Sequence, residues 1–121
     1  MTKLVKLGRL GAGLSVVTFI ILSVVPGNLR PHILGNDPAE HFVAYSITGS
    51  LLAIGYLSPM QLLSSGVLLP ICAGSLEFAQ LWIPGRNSSA GDFVAGTLGA
   101  WIGLLAVIVV RLARDRRLIV S

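Results

Sequence analysis

Seven side chains in this 121-residue sequence have types and spacings that suit chemistry. Asp37, His41 and Tyr45 stand four residues apart, and Glu77, Gln80, Arg86 and Asp92 are strung across the end of one apolar run and the start of the next. A carboxylate in hydrocarbon costs about 3 kcal/mol on insertion scales, so Glu77, inside an apolar stretch, calls for a partner or a purpose. Three uses fit these residue types. Glu77 or His41 has the chemistry of a general base, with Arg86 to steady negative charge as it develops. Arg86, the hydroxyls of Ser88 and Ser89 and the free amides of the next helix make an anion site suited to a phosphate or carboxylate. Glu77 alone would serve a proton-coupled transporter, although four short helices leave little room for alternating access.

Each of these residues also has a structural reading. Arg86 can pair with Asp92 or Glu77, His41 and Tyr45 can anchor a helix at a membrane interface, and Asp92 can cap the helix it begins. His41 with Asp37, Glu40, Glu77 and Asp92 offers nitrogen and oxygen ligands, but the spacing matches no H-E-x-x-H or Cys/His pattern, so no metal or other cofactor is expected. Ser88 and Ser89 lie near Asp92 without a G-x-S-x-G elbow, which argues against a nucleophilic serine. Asn87-Ser88-Ser89 is formally a glycosylation sequon. Cys72 is read as a small packing residue in an apolar stretch.

The elements that must hold these residues follow from composition. With 54% hydrophobic and 12% charged residues and a mean hydropathy of +0.83, the chain has too few polar side chains to cover a soluble globule, and reads as an integral membrane protein. The net charge of +4 does not point to nucleic acid. Its cations gather at Lys3, Lys6 and Arg9 and at Arg111, Arg114, Arg116 and Arg117, beside apolar runs, a pattern of membrane topology. Apolar runs over residues 7–25, 41–58, 62–83 and 93–110 predict an all-α fold, a polytopic bundle of four transmembrane helices forming a single domain over 1–121. The N-terminus resembles a signal peptide, but no small-x-small site follows Val24-Val25-Pro26, so it is read as a retained first span.

The positive-inside rule then places both termini in the cytoplasm, and an even number of spans agrees in putting them on one side. The first and third connections lie together on the outer side, and the seven polar residues converge there. At roughly 1.5 Å per residue, Glu77 lies about 10 Å below Pro84. Asp92, Gly96, Gly99 and Gly103 share one face of the fourth helix, and Gly66, Pro70, Ala73, Glu77 and Gln80 share one of the third. These two faces are expected to meet, though the glycines would equally suit a homo-oligomer contact. Pro70 is expected to kink the third helix, with a neighbour satisfying the carbonyl it frees.

The ordered set Asp37-x-x-x-His41-Phe42-x-x-Tyr45, Glu77-x-x-Gln80-x-x-x-Pro84-Gly85-Arg86 and Asp92-x-x-x-x-x-x-Gly99-x-x-x-Gly103 resembles the VanZ-like membrane protein family over roughly the last three helices. The resemblance implies a small polytopic protein of the bacterial envelope, at the cytoplasmic membrane, and a link to resistance against the glycopeptide teicoplanin. It does not bring a defined reaction. Two positions depart from the family pattern: Pro38 stands where a lysine is usual, and Gly96 where an asparagine is usual. From these residues we expect a non-catalytic protein that binds an amphipathic anionic ligand at the outer leaflet, either a lipid-linked envelope precursor or a glycopeptide. Arg86 would hold the anion, with Glu77, Gln80, His41, Asp92, Tyr45 and Asp37 around it and membrane lipids as its other partners. The alternative is a membrane-embedded hydrolase or transferase with Glu77 or His41 as general base.

Overall fold

The computed structural model describes residues 2–29, 35, 37–86 and 88–120. They form four helices, α1 (Lys3–Val24), α2 (Asp37–Gly55), α3 (Pro59–Gln80) and α4 (Ala90–Val120), with a short 3-10 turn at Gly27–Leu29. Among the described residues there is no strand. Three helices, α1, α3 and α4, are long and apolar enough to cross a membrane. Large apolar side chains such as Leu4, Leu63, Leu68, Phe78 and Val110 are more than half exposed, as hydrocarbon-facing side chains are. The helix α2 is shorter on apolar residues because it carries Asp37, Glu40 and His41 in its first two turns. It packs most extensively on α4 and then on α1, and it also touches α3.

The ends of the helices follow local chemistry. Ser58 caps α3 through a reciprocal pair, its hydroxyl accepting from the Gln61 amide at 3.2 Å while the Gln61 side chain accepts from the Ser58 amide at 3.3 Å. Pro59 follows at the first helical position, where a missing N–H costs nothing. Pro38 sits equally harmlessly in the first turn of α2, which begins four residues before the apolar run does. The helix α4 passes the end of its run at 110 and continues to Val120, since no glycine or proline follows Gly103 to stop it. Its length, about 46 Å at 1.5 Å per residue, exceeds a hydrocarbon core of about 30 Å. Ile83, Pro84, Gly85 and Arg86 form a tight turn closed by the Arg86 amide on the Ile83 carbonyl at 3.3 Å. Gly85 at φ 74° supplies the left-handed position that such a turn requires after proline.

Contacts show that chain direction alternates from helix to helix. Gly8 lies on Gly55 and Phe19 stacks on Tyr45, which makes α1 and α2 antiparallel. Gly99 lies on Phe42 and Gly103 on Ser46, which makes α2 and α4 parallel. The start of α1 and the Arg111 region of α4 meet the same end of α2. There Arg9 Nε donates to the Gly55 carbonyl at 2.7 Å, and Arg111 Nη2 donates to the Ala53 carbonyl. Cations at a helix C-terminus satisfy its unpaired carbonyls and match its dipole.

The pattern predicts that the glycine face of α4 meets α3, but that face is occupied by α2. Cβ atoms at Gly99 and Gly103 would strike the Phe42 and Ser46 carbonyls, and one at Gly49 on α2 would strike Ala100. Backbones this close leave no room for side chains between them, so the glycines serve packing within the chain. A different side of α4 receives α3, with Phe93 against Gly74 and Leu104 near Gly66. Pro70 leaves α3 unbroken from Pro59 to Gln80. The Gly66 carbonyl, which has no amide to meet at position 70, accepts from Trp101 Nε1 at 2.9 Å.

Candidate functional site

Three of the seven polar residues come together: His41 from α2, Glu77 from α3 and Asp92 from α4. One donor atom of each lies within 4.8 Å of the others. They sit where these helices meet at the end of the bundle that carries the α3–α4 connection. Glu77 is 7% exposed and Asp92 3% exposed. The His41 side chain is 14% exposed, so the histidine is the most open of the three.

Each side chain is held by a distinct device. His41 Nδ1 lies 2.8 Å from the Asp37 carbonyl one turn earlier. A carbonyl only accepts, so Nδ1 carries a proton and Nε2 is the nitrogen turned inward. That Nε2 stands 3.3 Å from Glu77 Oε1. The other oxygen, Oε2, accepts from the Ser89 amide at 3.1 Å and lies 3.2 Å from Ser88 Oγ. Ser88 Oγ also lies 2.7 Å from the Glu77 main-chain carbonyl, so one hydroxyl proton serves two oxygens of the same residue. Glu77 is thereby oriented with one oxygen fixed to the α3–α4 connection and the other facing His41.

The cap of α4 explains Asp92. Ser89, not Asp92, is the capping residue, since its hydroxyl accepts from the Asp92 amide at 3.1 Å. Asp92 thus occupies the third helical position, where an acid ordinarily reaches back to the amide of the capping residue. Here Glu77 has taken that amide. The Asp92 carboxylate turns into the bundle, and among the described residues nothing donates a hydrogen bond to it and no arginine or lysine pairs with it or with Glu77.

The remaining residues are placed differently. Tyr45 is 3% exposed, its ring stacked on Phe19 at 4.7 Å and parallel to the His41 ring at 6.5 Å. It is a wall beneath the histidine, where an interfacial anchor would have stood at the surface. A Cβ at Gly96 would lie 3.2 Å from the Tyr45 ring, so an asparagine there would require the tyrosine to move. Asp37 contributes its main-chain carbonyl to His41. Gln80 and Arg86 turn away to the C-terminus of α1, which has no basic residue in its own last turn. Gln80 Nε2 donates to Ser23 at 3.1 Å, and Arg86 donates to Val25 at 2.8 Å through Nε and to Leu22 through Nη2.

These contacts change the expected anion site. Arg86 lends two of its nitrogens to the end of α1, Ser88 orients Glu77, and Ser89 caps α4. The donors are engaged within the protein, while the groups that converge are two acids and an imidazole. They are also the groups that could hold one cation. No local spacing would have revealed this, because each comes from a different helix. Asn87 of the sequon and positions 30–34 and 36 of the first connection lie outside the described residues. Cys72 is partly buried and in no disulfide, packed against the core cluster that includes Tyr45. No family model matches the chain, and neither a curated protein nor a solved structure is detectably similar to it.

Proposed function

We propose that the chain is an integral protein of the bacterial cytoplasmic membrane that receives an amphipathic, lipid-linked envelope molecule at its outer face. It acts on that molecule's head group as a hydrolase or transferase. The observation that carries the reading is the oriented pair, His41 Nε2 facing Glu77 Oε1 at 3.3 Å with both side chains fixed from behind. Such a pair can take a proton from a nucleophile and return it to a leaving group. Asp92, within 4.8 Å, stabilises the charged imidazole as it forms. The exposed apolar flanks give the lipid tail a place beside the helices, and His41, the most open of the three, gives the head group its approach.

The VanZ-like pattern supports an envelope role and a link to cell-wall and glycopeptide chemistry. Four spans with both termini cytoplasmic would put the triad at the outer leaflet. Simple binding is the weaker reading, because the donors it relied on are engaged by the protein itself. The test is turnover of lipid-linked precursors by detergent-purified protein. Glu77→Gln should retain the fold and lose activity by at least about a hundredfold, the low end for a general base. A folded Glu77→Gln protein that works at the unaltered rate would remove the acid–base role.

A further inference from the structure

We infer that His41, Glu77 and Asp92 form a three-ligand site for a divalent transition-metal ion, with Zn²⁺ the best match. Three geometric facts support this. First, the separation of His41 Nε2 and Glu77 Oε1, 3.3 Å, is long for a charge-assisted hydrogen bond, which closes to about 2.8 Å. This one edge is close to the ligand separation around a tetrahedral ion, about 3.4 Å at bond lengths near 2.1 Å, and the third donor atom, from Asp92, lies within 4.8 Å of the other two. Second, the histidine already has the form a ligand needs. Its Nδ1–H donates to the Asp37 carbonyl, the usual outer contact of a metal-bound imidazole, and Nε2 is the nitrogen that faces Glu77. Third, Asp92 is 3% exposed with no hydrogen-bond donor or cation on its carboxylate among the described residues.

Charge makes the same point independently. Two ionised carboxylates in a sheltered site are costly without compensation, and no arginine or lysine among the described residues reaches them. A doubly charged cation with a neutral imidazole brings the sum to zero. The outer contacts are in place as well, since Ser88 and the Ser89 amide hold Glu77 Oε2 and leave Oε1 for the ion. One nitrogen and two carboxylates favour zinc over Mg²⁺ or Ca²⁺, which take oxygen ligands in greater number. Three protein ligands leave a fourth position open, and His41 is the residue through which water or an anionic head group would reach it. A bound ion would also turn a pair of acids that repels phosphate into a centre that attracts it.

The inference uses the same atoms, His41 Nε2 and Glu77 Oε1, as the proposed function, so a chain with the ion bound would not act through that acid–base pair, and binding is therefore read without substrate. Tag-free protein in detergent, stripped with chelator and carrying Cys72→Ser to remove the lone thiol, would be titrated with Zn²⁺. Bound metal would be counted by elemental analysis after gel filtration. One zinc per chain is expected, with a rise in the thermal midpoint and an absorption-edge spectrum showing nitrogen and oxygen neighbours. The isosteric Asp92→Asn and the separate His41→Ala should each weaken binding roughly tenfold or more, and millimolar Mg²⁺ should not compete. Absence of zinc at one equivalent, or binding that is equal in Asp92→Asn, would overturn the site. Failure to bind zinc at one equivalent together with turnover would remove the metal and leave the acid–base reading standing. Zinc bound without turnover of any lipid-linked substrate would do the reverse.

Discussion

Arg86 shows how far a residue's type can be from its employment. Its charge and its neighbours in sequence suited an anion site, yet its side chain closes the open end of α1 together with Gln80. Nothing within α1 announces the need, because the unpaired carbonyls at a helix end are main-chain groups and the helix has no cation of its own there. Arg86→Ala should therefore lower stability by about 2 kcal/mol, in line with hydrogen bonds made by a charged donor, when unfolding is followed in mixed micelles. Arg86→Lys should recover only part of the loss, since an ammonium lacks the fixed fork that reaches two carbonyls at once. A fully stable Arg86→Ala protein would return the arginine to the list of ligand-binding groups. The nearness of Glu77 and His41 to helix ends, by contrast, is readable in the sequence, because they lie three and four residues from the ends of α3 and α2 at Gln80 and Asp37. Asp92 was half legible: its pairing with Ser89 at S-x-x-D spacing signals a cap, but its release into the bundle depends on Glu77, which lies fifteen residues away in sequence.

At the scale of the helix, the apolar runs located all four elements but not their ends or their neighbours. Run boundaries mark where side chains stop being apolar, whereas helices end where the backbone finds a cap, a turn or a breaker. That is why α4 outlasts its run by ten residues and α3 gives way to a turn three residues before its run ends. Neighbour choice was misread for a related reason. The 4-3-4 spacing of Asp92, Gly96, Gly99 and Gly103 says that a backbone approaches this face, and the identity of that backbone is a property of the assembled bundle. The repair of Pro70 by Trp101 is a clean case for measurement. Trp101→Phe should cost about 1 kcal/mol, the net value of the lost bond to the Gly66 carbonyl. In a Pro70→Ala background, where an amide is restored inside α3, that hydrogen-bond penalty should largely vanish, and the double-mutant cycle reports the difference. Equal penalties in both backgrounds would show that the indole packs without serving the carbonyl.

For the whole molecule, the distribution of charge predicts the orientation in the membrane. Single cysteines at Thr2 and Leu118, in a Cys72→Ser background, should react with an impermeant maleimide only after cells are opened, whereas one at Gly35 should react in intact cells. Thr2 and Leu118 labelled from opposite sides would contradict four spans; both labelled from outside would invert the protein and move the triad to the inner leaflet. The central position of α2 has a consequence for how the chain is made. This helix is too polar to be held in lipid as readily as the others, and its most extensive partner, α4, is the last to be synthesised. Until α4 emerges, the Phe42 and Ser46 backbone has no glycine surface to lie against, and His41 has only one of its two acids. Biogenesis must then shelter a half-finished polar helix through most of translation, and the triad comes into existence in a single late step.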